Sequence, residues 1–342
     1  MKGFILAAGF GKRFLPVTES LPKPMFPIGG CPLIVCAISF LKKHGIVDIV
    51  INLHHLGHSI EKYLGDGTEF GVNLSYSFED EILGTGGALK KQSNFLRDET
   101  FVVMNSDILF DFDLQAAIDS HKASSALGTM VLRCPARDAD YGKIEIDEES
   151  RIRRILGTGE SESTLRAMHF TGCQILEPEF MEFIPPDVET CIVRYAYKKA
   201  LADGKTLCGF ELEGGWYDAG TPPLYWSVNR AVLARELTLS YLDLLEDYSL
   251  SPSKQVADVI RLGEDVDLGP DSRLIPPVLV GNSVKIGKDA VVGPYAILQN
   301  GVSVGAQGRV ESSVLLHDTK IPHGLSVYQR LVGRKEELDL SE

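Results

Sequence analysis

A chain of 342 residues is long enough for two domains, since single cores stop growing near ~250–300 residues. A hydrophobic content of 44% with 24% charged residues is that of a soluble globular protein, and a net charge of −13 excludes nucleic acid and anionic membranes as main partners. The cysteines at 31, 36, 134, 173, 191 and 208 form no C-x-x-C pair, so they read as reduced core cysteines of a cytoplasmic protein. Met1-Lys2 runs straight into an apolar stretch, so no signal peptide is expected, and no apolar run reaches the ~18 residues of a membrane span.

Phe4 to Ala8 reads as a buried strand. It ends in Gly9-x-Gly11, followed at once by Lys12 and Arg13, and Lys23 stands between Pro22 and Pro24. Amide N–H groups in such a turn form a nest for phosphate oxygens, and the cations neutralise charge. The plain alternative, a solvated basic loop, is weakened by three cations and two prolines in one stretch. Pro32 to His44 reads as a helix stopped by Gly45, Asp48–Leu53 as a buried strand, Ser59–Leu64 as a helix and Val72–Phe78 as a strand. That alternation implies a doubly wound parallel sheet, whose ligands sit at the carboxyl ends of strands, where the Gly9–Arg13 loop lies. His54, His55 and His58 lack the glutamate of a zincin motif and read as a loop and helix start with no ligand role.

Glu79 to Glu81 lead into Gly84-Thr85-Gly86-Gly87, then into a predicted helix over Ala88–Phe95. These glycines either let the backbone lie against a base and ribose or simply begin a helix. Thr100–Met104 is a short strand ending in Asn105-Ser106-Asp107. A carboxylate there is placed to hold Mg²⁺, or to cap a helix predicted near Asp111–Lys122. Strands follow at Ala126–Arg133, at Tyr141–Asp147 with Gly142 as a close-approach point, and at Met168–Leu176. Arg151–Arg154 reads as a solvated basic patch, and Thr190–Ala202 has helical spacing. Asp218, in Trp216-Tyr217-Asp218-Ala219-Gly220, is a second candidate metal carboxylate or a residue that only shapes its turn. Thr221 and Pro222 read as the N-cap and first position of a helix to about Arg235.

Residues 237–261 are amphipathic and acidic, a linker or edge helix. From Leu262 aliphatics recur six apart without slip: 268, 274, 280, 286, 292, 298, 304, 310 and 316. This hexapeptide repeat marks a parallel β-helix, of about three coils at ~18 residues each, with its register ending at Pro322. The tail from Gly333 to Glu342 reads as charged and frayed.

Leu6-Ala-Ala-Gly9-x-Gly11-x-Arg13 with Leu21-Pro-Lys23-Pro24, Gly84-Thr-Gly86-Gly87-Ala88, Asn105-Ser-Asp107, Tyr141-Gly142 and Trp216-Tyr-Asp218-x-Gly220-Thr221 together resemble the sugar-1-phosphate nucleotidylyltransferases. The resemblance implies an α/β fold: a Rossmann-like, doubly wound mixed sheet forming a catalytic domain over 1–236, then a linker over 237–261. A short left-handed parallel β-helix over 262–325 and a tail over 326–342 complete the expected organisation. It implies transfer of a nucleoside monophosphate from a nucleoside triphosphate to a sugar 1-phosphate, with Mg²⁺. Arg13, Lys23 and Asp107 would be catalytic, and Ala8, Gly9, Gly11, Lys12, Arg13, Glu81, Gly84, Gly86 and Gly87 would hold the nucleotide. Gly142, Thr171 and Gly172 would lie against the sugar phosphate, and Asp107 with Asp218 would hold the metal. No nucleic acid or membrane partner is expected, and exposed coil ends suit a homo-oligomer.

Two departures stand out. Leu156-Gly-Thr-Gly159 has no lysine where many relatives carry Glu-Lys-Pro, leaving Arg154 or Lys143 to grip the sugar phosphate; Phe170 replaces an asparagine two residues before Gly172. Both resemble the N-acetylmuramate-phosphate uridylyltransferases, whereas Asn105-Ser-Asp107 and the short β-helix resemble the mannose-1-phosphate guanylyltransferases, the favoured type. Alternatives are a UTP- or dTTP-dependent enzyme, a non-catalytic nucleotide-sugar-binding regulatory relative and, from the hexads, an acyltransferase.

Overall fold

The structure, a computed structural model, describes residues 1–134, 143–160, 164–244, 254–257 and 260–341. The chain forms two compact units, Met1–Gly9 with Ala37–Trp216, and Phe10–Cys36 with Tyr217–Glu342. No helix among the described residues is long and apolar enough to cross a membrane.

The first unit is built on a ten-stranded mixed sheet. Its middle strand, β1 (Lys2–Leu6), runs parallel to β2 (Asp48–Leu53) on one side, and β3 (Asn73–Phe78) lies beyond β2. On the other side of β1 lies β4 (Phe101–Asn105), also parallel. β1, β2 and β4 are apolar runs, as expected where helices cover both faces of a parallel sheet, whereas β3 alternates and is partly exposed. Antiparallel pairing then takes over: β5 (Gly128–Arg133) and β6 (Lys143–Ile146) both pair with β7 (Arg166–Leu176), which pairs with β4. Ile152–Ile155 and Thr158–Gly159 extend the sheet beyond β6, and β8 (Leu207–Glu211) is parallel to β5. Phe4, Val50, Val103, Met130, Leu176 and Tyr197 belong to one buried cluster across this sheet.

Two helix readings change. The glycines at 84, 86 and 87 lie inside the helix Gly84–Lys91 rather than before it. The helix after β4 is Leu114–Ser124, and Asp113 caps it by accepting the Ala116 N–H at 3.1 Å. Asp107 is therefore not the cap; a strand, Ile108–Phe112, intervenes.

The second unit holds the loop from Phe10, the helix Pro222–Leu233 and the β-helix. Thr221 caps that helix as expected, its hydroxyl accepting the Leu224 N–H. Among described residues no helix occupies 237–261; Leu239 and Leu242 form an isolated bridge and Lys254–Ala257 is a strand. The β-helix is three stacks of short parallel strands. One stack has rungs at Ile260–Leu262, Val278–Val280, Ala296–Leu298, Ser313–Leu315 and Arg330–Val332, five rungs and hence four coils rather than about three.

The six-residue register also slips. Leu298 pairs with Leu315, not Leu316. The corner after Val292 uses Gly293-Pro294-Tyr295, whereas the corner after Val310 uses only Glu311-Ser312, with Ser312 left-handed at φ 49°. One residue is lost there, so Val304 pairs with Ile321 and Val310 with Val327, and an equally short corner at Tyr328-Gln329, with Gln329 left-handed at φ 48°, sets Leu315 opposite Val332. Register therefore runs past Pro322. Nor is the tail frayed: Glu337–Asp339 pairs antiparallel with Arg330–Val332, and Leu340 is buried. The reduced-core reading of the cysteines holds for four of them, since Cys134 and Cys191 are exposed.

Candidate active site

In the first unit, Ala8 is buried and Gly9 exposed just past the carboxyl end of β1. A buried polar chain fixes this end of the sheet. Asn52 Oδ1 accepts the Ala7 N–H at 2.8 Å, Asn52 Nδ2 donates to Glu79 Oε1 at 2.8 Å, and Glu79 Oε2 accepts the Leu83 N–H at 2.8 Å. The turn after β1 is thus tied to the segment that enters the helix at Gly84. Both groups are nearly fully buried, where each needs its partner. Neither was a candidate from sequence, although a lone Asn within the apolar run Ile49–Leu53 was a signal.

The glycines at 84, 86 and 87 meet the protein's own backbone. Gly84 is left-handed, φ 68°, and a Cβ there would lie 2.7 Å from the Thr190 carbonyl oxygen. The Gly86 N–H donates to that oxygen at 2.6 Å, and Thr85 Oγ1 accepts the Ile192 N–H at 2.9 Å. The segment 188–192, which leads into the helical turn Ile192–Tyr197, therefore packs directly on the helix start. Glu81 is exposed nearby and helps line a cleft of about 480 Å³ with Asp80, Gly87 and Lys90.

Asp107 is partly buried, two residues beyond Asn105, the last residue of β4. Opposite β4, Gly172 adopts φ 89°, and a Cβ there would sit 2.8 Å from Asn105 Nδ2, so only glycine fits beside that side chain. The register of β7 against β5 breaks between Phe170 and Gln174, an irregularity that spans Gly172. Thr171 is fully buried, and its hydroxyl donates to the Val131 carbonyl at 2.7 Å. Its own carbonyl accepts the Trp216 indole N–H at 2.9 Å. Arg133 lies over the Trp216 ring at 4.6 Å, and His169 meets that ring edge-on at 5.6 Å. Burial, and then the Arg133 charge, push the His169 pKa down to about 4, so the ring is neutral at pH 7. Gly142 lies outside the described residues.

In the second unit, the loop from Phe10 folds as three short 3₁₀ turns, Lys12–Phe14, Val17–Glu19 and Lys23–Met25. Gly11 is left-handed, and its carbonyl accepts the Phe14 N–H at 2.8 Å. Lys12 and Arg13 are exposed, whereas Lys23 is buried with its ammonium 5.2 Å from the Phe14 ring centre. Phe14, Phe26 and Tyr225 meet edge to face at 5.1–5.9 Å, which pins the loop to the helix Pro222–Leu233. Tyr225 donates to the Pro27 carbonyl at 2.7 Å, and Asn229 Oδ1 accepts the Gly29 N–H at 2.8 Å. Gln299, from the β-helix, donates to the Gly29 carbonyl at 3.3 Å. Asp218 Oδ1 accepts the Gly220 N–H at 2.6 Å, so this carboxylate does shape its turn.

Among the described residues no group of three or more His, Cys, Asp or Glu forms a metal cage. One or two carboxylates completed by phosphate oxygens is the donor set Mg²⁺ usually takes, and Asp107 in the first unit and Asp218 in the second are each a carboxylate of that kind.

The profile of the "Nucleotidyl transferase" family matches residues 2–235, and that of the "GMPPB C-terminal domain" matches 274–340. The chain is 35% identical over 250 residues to a UTP–glucose-1-phosphate uridylyltransferase of Synechocystis, an alignment spanning 69% of this chain and 64% of that protein. It is 31% identical over 219 residues to a mannose-1-phosphate guanylyltransferase of Mycobacterium tuberculosis, spanning 64% and 60%. The matched region thus takes in less than two thirds of either relative. A crystal structure from Bacillus anthracis, described as a glucose-1-phosphate thymidylyltransferase with sucrose, aligns at a TM-score of 0.60 and 25% identity, covering 72% of this chain and 98% of that one.

Proposed function

Because the chain belongs to the nucleotidyl transferase family, we propose that it transfers a nucleoside monophosphate from a nucleoside triphosphate to a sugar 1-phosphate. A phosphate oxygen of the sugar attacks the α-phosphorus in line. The bond from that phosphorus to the bridging oxygen breaks, and the electron pair leaves with pyrophosphate. The nucleophile is already an anion, so no general base is required. Such transfers depend on positioning and charge stabilisation. The observation that carries this reading is the glycine turn at the carboxyl end of β1, which runs straight into Lys12 and Arg13.

The amides of Gly9 and Gly11 hold the triphosphate, with Ala8 and Lys12 beside them. Arg13 steadies the departing pyrophosphate and Lys23 the reacting phosphates. The helix start from Glu81 to Gly87 borders the base and ribose, and Gly172 borders the sugar. Asp107 and Asp218 would hold a divalent cation, Mg²⁺, which neutralises phosphate charge and templates the attack.

Mannose 1-phosphate with GTP is the favoured pair, supported by the C-terminal profile and by the guanylyltransferase relative. UTP with glucose 1-phosphate is the second, supported by the uridylyltransferase relative. Such substrates belong to the cytoplasm. Exposed Leu268, Ile275, Leu325 and Tyr328 on the β-helix support self-association.

The test is a matrix of each nucleoside triphosphate against a panel of sugar 1-phosphates with Mg²⁺, reading pyrophosphate. Release with one pair is expected. Silence across the matrix, alongside tight binding of nucleotide sugars, would instead favour a regulatory relative.

A further inference from the structure

The loop cations, Arg13 and Lys23, are taken up by the triphosphate in the reading above, and the sugar phosphate needs cations of its own. We infer that Arg133 and Lys143 hold that phosphate, an assignment that rests on the proposed transfer.

Strand register puts these two together. In the antiparallel pairings of β7, His169 stands opposite Arg133 of β5 on one side and opposite Lys143 of β6 on the other. Directly opposed residues project from the same face, with Cβ atoms ~4.5–5.5 Å apart. Arg133, His169 and Lys143 thus form a row across one face of the sheet. His169 does not add to the charge, because it stays neutral above about pH 4.

The row has a rigid floor. Trp216 is fixed by the Thr171 carbonyl, and Thr171 is fixed in turn to Val131 of β5. Stacking on Trp216 holds the guanidinium plane and leaves its N–H edge for a bidentate bond to phosphate. Among the described residues no carboxylate pairs with Arg133 or Lys143, and Lys143 is exposed. Three other arginines of this sheet region are engaged. Arg153 pairs with Asp147 at 2.6 Å, Arg166 with Glu211 at 3.0 Å, and Arg154 with Glu145 at 3.4 Å. Arg154, the other cation considered from sequence, is therefore committed elsewhere. In a chain of net charge −13, two cations flanking a neutral histidine, with no carboxylate partner among the described residues, are a place for an anion.

The row shares its unit with Asp107. Thr171 precedes Gly172, which accommodates Asn105, and Asn105 lies two residues before Asp107.

The test compares wild type with Arg133→Met, which keeps the stem on Trp216, Arg133→Lys, and Lys143→Gln. Binding of mannose 1-phosphate, glucose 1-phosphate and free mannose is measured by calorimetry, and KM for each substrate by pyrophosphate release. A hydrogen bond to a charged group is worth ~1.5–3 kcal/mol, so Arg133→Met should raise KM and Kd for the sugar phosphate ~10–100-fold. KM for the nucleoside triphosphate should stay within about twofold, and Arg133→Lys should recover part of the loss because it keeps the charge without the fork. Lys143→Gln, at an exposed position, carries the test if Arg133→Met does not fold. Unchanged sugar-phosphate KM and Kd in folded Arg133→Met and Lys143→Gln would overturn the assignment and leave the transferase reading standing. A wild type without turnover whose sugar-phosphate binding still depends on Arg133 would keep the assignment and overturn the transferase reading. A wild type that binds neither sugar phosphate overturns both.

Discussion

Asn52 and Glu79 meet at 2.8 Å inside the first unit, and between them they hold the Ala7 and Leu83 amides. The Glu79 carboxylate accepts from Asn52 Nδ2 and from the Leu83 N–H at once. Glu79→Gln presents an NH₂ group to one of them, leaving a buried donor without an acceptor. Stability should fall by ~1–3 kcal/mol. Because both amides belong to segments that border the proposed nucleotide site, KM for the triphosphate should rise more than KM for the sugar phosphate. Thermal melts and two-substrate kinetics check both parts; an unchanged melting temperature would show the chain of bonds to be dispensable.

Gly84 separates two reasons for a glycine. If its lack of a side chain serves packing, Gly84→Ala brings Cβ against the Thr190 carbonyl at a positive φ and lowers stability by ~1–3 kcal/mol. If it serves only ligand approach, melting stays put and nucleotide KM rises. The contact with Thr190 predicts the first outcome.

Asp107→Asn and Lys23→Met should each cut kcat by ~10²–10³, the usual effect of removing one preorganised electrostatic group. Asp107→Asn should also shift the Mg²⁺ concentration needed for half-maximal rate upward. Near-normal turnover in either variant would remove that residue from the proposed mechanism.

His169 gives an acid limb to stability. Its folded pKa, about 4, lies below the model-peptide 6.5, so between those values the unfolded chain binds more protons. Stability therefore rises with pH across that window, is fully present above about 6.5, and is lost as pH falls towards 4. The contribution is at most about 3 kcal/mol. His44 and His121 are also lowered, chiefly by burial, and add in the same direction. His169→Phe should flatten this limb without abolishing it, as measured by urea unfolding between pH 4 and 7.

What the sequence determined by itself was local and periodic. An apolar run ending in Gly9-x-Gly11 can only be a strand feeding a turn, and Thr221-Pro222 can only open a helix well. The hexads required a β-helix because every sixth side chain needs the same interior slot. Each of these rests on neighbours within a few residues, which is why the pattern could be seen.

The tertiary structure decided what depends on partners far along the chain. Asn52 and Glu79 are 27 residues apart, and Gly29 is held by Asn229 and Gln299, 200 and 270 residues away. No spacing rule encodes such pairs. The slip at Leu315 came from one missing corner residue, and the tail was ordered by a hairpin whose partner strand is itself the last coil. The sharpest case is Arg133. It lies among ordinary strand residues in sequence, and only the register of β7 sets it in one row with His169 and Lys143. Opposed strands bring side chains together by hydrogen-bond geometry, and that geometry exists only once the sheet has formed.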